Sequence, residues 1–199
     1  MLCFIIRLLR GTRAYKRSSI NKNAFISCNY PYVGVIKDRR LLITEGYSQI
    51  KAKDCEECLP RCKKQITQTP KIFLLKMVPG IDAGIIDYIK KENYDGIVIE
   101  GYGLGGMPVA NTELMNKIEA LIQSKIPVIM ATQCVYDGVN LDTYEVGVTA
   151  NKMGIISAND MTSEAVYTKL MWILCSFNQY ADILKALQTN FCGEIVVSK

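Results

Sequence analysis

From Lys71 onward, apolar runs alternate with helix-periodic stretches, and that alternation constrains the fold more than any other feature. Ile72 to Met77 is an apolar run closed by Pro79-Gly80, and Ile81, Ile85, Ile86 and Ile89 then recur at helical spacing up to Lys91. Gly96 to Glu100 reads as a second buried strand. Asn111 to Ser124 reads as an amphipathic helix built on Leu114, Ile118, Leu121 and Ile122. Ile126 to Thr132 is a third strand, Tyr144 to Met153 a helix, and Ile155 to Ser157 a short fourth strand. Thr162 or Asp160 is placed to cap the next helix, with Glu164 favourable in its first turn. That helix runs through Leu170, Met171, Ile173 and Leu174, and Asn178 to Thr189 forms the last one. Strands alternating with helices imply an α/β fold whose small parallel, flavodoxin-like sheet is covered on both faces.

The first fifty residues read differently, as strands and turns without a long helix. Cys3 to Leu9 reads as one strand buried on both faces, and Tyr15 to Asn23 as a polar loop. Phe25 to Cys28 is short and apolar. Val33 to Ile36 and Leu41 to Thr44 flank Lys37 to Arg40 as a hairpin. Residues 51–70 look like a linker, punctuated by Pro60 and Pro70. It contains Cys55, Cys58 and Cys62, a spacing that suits a metal or an iron–sulfur cluster. A closed site wants a fourth ligand and none lies nearby, so no metal is expected.

Composition removes several function classes. The chain has 199 residues, 49% hydrophobic and 22% charged, as a globular protein does. The net charge of +5 is spread out; the dense stretch Lys51 to Lys64 mixes five basic residues with three acidic ones. No nucleic-acid partner is expected without a basic stripe. The apolar start, Met1 to Leu9, lacks a basic leader and is too short to span a bilayer, so no membrane partner is expected. There are eight cysteines and no histidine. A histidine-dependent nucleophile within this chain is therefore ruled out. Cys28, Cys134, Cys175 and Cys192 read as reduced, buried thiols, which points to a reducing, cytoplasmic setting.

Three places carry candidate chemistry. Gly101-Tyr-Gly-Leu-Gly-Gly106 follows a strand with the spacing of a dinucleotide loop. The next strand ends in Ala131-Thr132-Gln133, without the acid that would hold a ribose. No nucleotide cofactor is expected, and the glycines imply a close approach to a ligand or another subunit. Thr132-Gln133-Cys134 ends a buried strand, the edge where parallel sheets bind ligands. These residues suit an amide or carboxylate, or simply satisfy local backbone groups. Lys16 sits in Gly11-Thr-Arg-Ala-Tyr-Lys16, either in a solvated basic loop or polarising a hydroxyl.

Taken in order, several stretches resemble the cytoplasmic-type L-asparaginase family. They are Gly11 to Lys16, Phe25 to Asn29, Pro79-Gly-Ile-Asp82, Gly96 to Pro108, Thr132-Gln-Cys134 with Gly138-Val139, and Asp160 to Ala165 with Lys169-Leu170. The resemblance implies two α/β domains, with residues 1–50 part of the N-terminal one, 51–70 the linker and 71–199 the C-terminal one. It implies hydrolysis of L-asparagine to L-aspartate and ammonia through a threonine acyl-enzyme, with no cofactor, in a cytoplasmic homodimer or homotetramer. Lys16 matches the family's catalytic lysine. Thr132, Gln133, Cys134 and Tyr144 fall in its substrate or effector pocket, and Gly103, Gly105 and Gly106 in a turn facing a neighbouring subunit.

The sequence also departs from the family. It contains neither Thr-Gly-Gly-Thr nor Gly-Thr-Asp-Thr, the two segments that carry the nucleophiles. A truncated chain, inactive alone, is the expectation. Gly106 stands where many relatives have an asparagine reaching the neighbouring active site. Tyr15 and Glu100 stand where an asparagine-regulated relative has threonine and arginine. A glutamate there would repel a bound carboxylate, so asparagine control does not carry over. A non-catalytic, self-associating domain and a glutamine-hydrolysing subunit related to tRNA-dependent amidotransferase are the alternatives.

Overall fold

The computed structural model describes residues 2–4, 6–44, 69–143 and 145–196. Two antiparallel sheets come first. Strands β1 (Leu2–Phe4), β2 (Arg7–Leu9), β5 (Gly34–Lys37) and β6 (Arg40–Ile43) lie side by side in that order. Strands β3 (Ala14–Lys16) and β4 (Phe25–Ser27) form a two-stranded ribbon. The second part carries β7 (Ile72–Lys76), α1 (Gly84–Lys91), β8 (Gly96–Gly101), α2 (Thr112–Gln123) and β9 (Val128–Thr132). It continues with α3 (Glu145–Lys152), β10 (Ile156–Ser157), α4 (Ser163–Ser176) and α5 (Tyr180–Gln188).

Strands β7 to β10 are parallel and lie in chain order. Right-handed crossovers that always step the same way leave their helices on one face. Residues from α1, α2 and α3 accordingly share one core with Leu75, Ile97, Ile99, Val128 and Met130. The opposite face of the same strands presents Ile72, Val98, Ile129 and Ala131 to α4 and α5. The period-two alternation of a strand thus divides β8 between two cores, which is why Ile97, Val98 and Ile99 are apolar in succession.

Helix ends follow local chemistry. The Asn111 side chain accepts from the Leu114 amide at 3.1 Å, and Ser124 closes the helix it opens. Thr162, not Asp160, caps α4 by accepting from the Ala165 amide at 3.2 Å. The turn between β5 and β6 places Asp38 and Arg39 at φ 49° and 61°, the paired left-handed conformation that suits a two-residue hairpin.

Two sequence expectations for the N-terminal part are corrected. Cys3 to Leu9 is a hairpin, not one strand: β1 pairs with β2 in antiparallel register, Leu2 opposite Leu9 and Phe4 opposite Arg7, with Ile6 exposed at the reversal. An apolar run without Gly or Asn carries no turn signal, so sequence pattern alone reads it as continuous. Tyr15 to Asn23 is not all loop, because Ala14 to Lys16 pairs with Ser27 to Phe25. That pairing supplies ladder hydrogen bonds to residues whose own pattern is polar.

One ion pair ties the two parts together. Arg13 is fully buried and meets the Asp160 carboxylate at 2.8 Å. Its guanidinium also donates to the Gly193 carbonyl at 2.9 Å and the Asp160 carbonyl at 3.0 Å. Asp160 accepts in turn from the Val196 amide at 2.9 Å, and Asn29 donates to the carbonyls of Asp137 and Asp160. Arg10 lies over the Tyr30 ring at 4.3 Å. Arg13 lies two residues before Tyr15, and Asp160 two before Thr162, so this pair sets the spacing between two walls of the pocket described next.

A second buried pair, Lys169 with Glu194 at 2.8 Å, anchors the C-terminal segment on α4. Burial depresses the Lys169 pKa, opposed by the Glu194 carboxylate. Burial works against the Glu194 carboxylate too, but the Lys169 ammonium and the Phe191 and Cys192 amides outweigh it and hold its pKa below the ordinary 4.5. A carboxylate with a depressed folded pKa stabilises fully above its unfolded value and loses that stabilisation as pH falls through the folded one. Below about pH 4.5, the melting temperature of the native chain is therefore expected to fall more steeply with acid than that of Glu194→Gln. Parallel acid limbs in a pH series of melting curves would contradict this.

Candidate functional site

The C-terminal ends of β7, β8 and β9 open into one pocket of about 150 Å³. Lys76 ends β7, Glu100 is the last residue but one of β8, and Thr132 ends β9. Gln133, Cys134 and Asp137 continue the wall beyond β9, and Thr162 to Glu164 bring the N-terminus of α4 to it. Tyr15 of β3 closes the pocket from the N-terminal part. Open parallel sheets bind ligands at this edge, where strand ends and helix N-termini leave backbone groups available.

Thr132 and Gln133 are held by backbone. The Thr132 hydroxyl donates to the Gly103 carbonyl and accepts from the Cys134 amide at 3.0 Å. The Gln133 amide nitrogen donates to the carbonyls of Met77 at 2.8 Å and Glu100 at 3.0 Å, clamping β7 to β8. Their donors are thus spent on positioning three strand ends, the local-satisfaction alternative for this motif. Cys134 is half-buried in the same wall. Tyr144 lies outside the described residues, as do Cys55, Cys58 and Cys62.

Lys16 does not join this pocket. Successive side chains of a strand point to opposite faces, so with Tyr15 on the pocket side Lys16 projects away from it, exposed and opposite Phe25. The proposed catalytic lysine and the Thr132–Cys134 wall are therefore two separate places. Among the described cysteines only Cys28 is fully buried; Cys134 and Cys175 are partly exposed and Cys192 is exposed, which corrects the expectation of four buried thiols. The Cys28 pKa is pushed up to about 11, mainly by burial and then by the Glu164 carboxylate, which keeps it a thiol.

The glycine turn folds onto itself. The Gly105 and Gly106 amides both donate to the Tyr102 carbonyl, at 2.9 and 2.6 Å, and the Tyr102 amide donates to Gly106. Those amides are consumed, so the turn makes no phosphate cradle. A Cβ on Gly101 would lie 2.7 Å from the Met130 sulfur. Gly105, at φ 108°, would place one 2.9 Å from Val139. The close approach that demands glycine there is to the chain's own core, while Gly103, at φ 48°, has open space beside it.

Residues 71–187 match the family model of the glutaminase/asparaginase C-terminal domain. The chain belongs to the glutaminase/asparaginase family. It is 34% identical to an L-asparaginase of Thermococcus kodakarensis, in a match over 99% of this chain and 57% of that protein. It is also 34% identical to a glutamyl-tRNA(Gln) amidotransferase subunit from Pyrococcus abyssi, over 94% of this chain and 41% of that protein. The solved Thermococcus kodakarensis enzyme superposes with a TM-score of 0.84 at 33% identity, covering 98% of this chain and 56% of that one. L-asparaginase I of Vibrio cholerae superposes at 0.82 and 25% identity, over 98% and 56%. The chain thus spans little more than half the length of the asparaginases it matches.

Sequence reasoning missed two charged pairs that hold this family's fold together here. Arg13–Asp160 carries no local signal, since its members are 147 positions apart. Lys169–Glu194 did carry one. Lys169 falls on the stripe Val166, Leu170, Ile173 that α4 buries, and a charge on a buried stripe requires a partner.

Proposed function

We propose that these residues form part of an amidohydrolase that cleaves L-asparagine to L-aspartate and ammonia. The near-complete overlap of the chain with the Thermococcus kodakarensis L-asparaginase carries this reading. Residues 1–50 then belong to the N-terminal catalytic domain, 51–70 to the linker and 71–199 to the C-terminal domain. The turn holding Gly103, Gly105 and Gly106 then faces a neighbouring subunit in a cytoplasmic homo-oligomer. The 199 residues contain neither threonine motif of the resemblance, so hydrolysis requires a polypeptide carrying both, continuous with this one or separate.

In that assembly a threonine hydroxyl attacks the amide carbonyl, ammonia leaves, and water releases aspartate from the ester. Lys16 supplies the positive charge that lowers the cost of forming the attacking alkoxide. Its exposure on β3 leaves it available to a threonine on the complementary segment. The family's amidotransferase members support a second reading, hydrolysis of glutamine to feed ammonia to a partner enzyme. The broader overlap with the asparaginase, 99% of this chain against 94%, favours the first. Mixed with a polypeptide carrying both threonine motifs, Lys16→Ala is expected to lose at least about 10²-fold in kcat, and Arg17→Ala next to it little. Equal activity of native and Lys16→Ala mixtures would remove Lys16 from the chemistry.

A further inference from the structure

The ribbon of β3 and β4 leaves one polar atom unpaired. Among the described residues, the Ser27 hydroxyl is the buried side-chain oxygen that no hydrogen-bond partner meets. Leaving a buried hydroxyl unpaired is costly, so such an atom in a folded chain requires a reason. Register shows what it faces. Ala14 is opposite Ser27, Tyr15 opposite Ile26, and Lys16 opposite Phe25. Residues directly opposite share a face, and faces alternate along each strand. Tyr15 and the buried Ile26 turn toward the C-terminal part, where Tyr15 lines the sheet-edge pocket. Ala14, Lys16, Phe25 and Ser27 share the other face. Of these four, only Lys16 brings a second polar side chain. It stands diagonally across the ribbon from Ser27, about 7–8 Å away in such a ladder, within reach of a long side chain. Lys16 is exposed and belongs to no ion pair among the described residues.

We propose that Ser27 is a positioning residue, whose hydroxyl accepts a hydrogen bond from the Lys16 ammonium once the polypeptide bearing the threonines is seated. This role rests on the amidohydrolase reading. An exposed lysine carries its charge on a flexible stem that samples many rotamers. A hydrogen bond to Ser27 lays that stem along the ribbon face and fixes where the charge stands. An ammonium has several donors, so others remain for the attacking threonine. The seated polypeptide removes water from this face, which strengthens the bond. The same contact gives the Ser27 oxygen its missing partner. Ser27 acts through Lys16 and touches neither substrate nor nucleophile.

The test is ammonia release from L-asparagine by variants of the 199-residue chain mixed with a polypeptide carrying both threonine motifs, alongside thermal melting of each chain alone. Ser27→Ala is expected to lose at least about tenfold in kcat, the worth of a hydrogen bond to a charged group, with KM little changed. Its melting temperature should hold or rise, because the substitution removes an unpaired oxygen. Ser27→Thr restores the hydroxyl and should recover most of the rate. Ser19→Ala, exposed in the loop between the two strands, should keep all of it. In a Lys16→Ala background, Ser27→Ala should add no further loss. Undiminished kcat in Ser27→Ala, the same loss in both Lys16 backgrounds, or a melting temperature that falls with the activity would overturn the proposal and leave the amidohydrolase reading standing. No release from the native mixture would remove that reading and this proposal with it.

Discussion

Arg13→Met is expected to cost about 3–5 kcal/mol of folding stability, the range for breaking one partner out of a buried ion pair. The guanidinium is fully buried and serves four acceptor atoms: both Asp160 carboxylate oxygens and the carbonyls of Asp160 and Gly193. Methionine fills part of the volume but leaves a carboxylate facing a dry wall. Asp160 keeps only the Val196 amide and little water, since its side chain is 20% exposed. The double variant Arg13→Met/Asp160→Leu should recover part of the loss, because two apolar groups leave no uncompensated charge. Urea denaturation of the three proteins checks both statements. A single-variant loss under about 1 kcal/mol would place this pair with weak surface pairs. The same variant should loosen Tyr15 against α4, because Arg13 and Asp160 set the distance between those pocket walls.

Gly193→Ala is expected to cost about 2–4 kcal/mol, the sum of left-handed strain and a displaced arginine. Gly193 sits at φ 76°, where an L side chain is strained. A Cβ there would lie 1.5 Å from the Arg10 Nη1 and 2.5 Å from its Cζ, so the guanidinium must leave. Leaving sacrifices its stack on Tyr30 at 4.3 Å and its hydrogen bonds to the Gly193 carbonyl and the Tyr30 hydroxyl, both at 3.3 Å. The two contributions separate in a double-mutant cycle. In an Arg10→Ala background the clash is gone, and the alanine should cost only the backbone strain, about 1–2 kcal/mol. Equal costs in both backgrounds would show that Arg10 yields without penalty.

Much of the second part of the fold was legible because its signals are local. The apolar runs at Ile72, Gly96 and Ile126 became β7, β8 and β9, and the helical spacing of Leu114, Ile118, Leu121 and Ile122 marked the helix between Asn111 and Ser124. The β5–β6 hairpin was legible from two apolar runs flanking a charged turn. The N-terminal part was harder, because its pairing is non-local and its polar strand Ala14–Lys16 is defined by its partner rather than its pattern.

The pocket was legible in pieces. Thr132 to Cys134 could be placed at a strand end, and Tyr15 and Glu100 were singled out through the family resemblance. Only the fold brings Tyr15 across from β3 and sends Lys16 the other way, since one residue of register decides which face each occupies. The glycine turn shows the converse limit. Spacing alone is common to a phosphate cradle and to a turn whose amides close on Tyr102, and the two differ only in where those amides point.

The most direct test of the amidohydrolase account is ammonia release from L-asparagine by the purified 199-residue chain, alone and mixed with a polypeptide carrying both threonine motifs. The account predicts no release from the chain alone and release from the mixture above that of the added polypeptide by itself. Hydrolysis by the 199 residues alone would contradict it, because the attacking nucleophile would then lie among residues assigned here to structure.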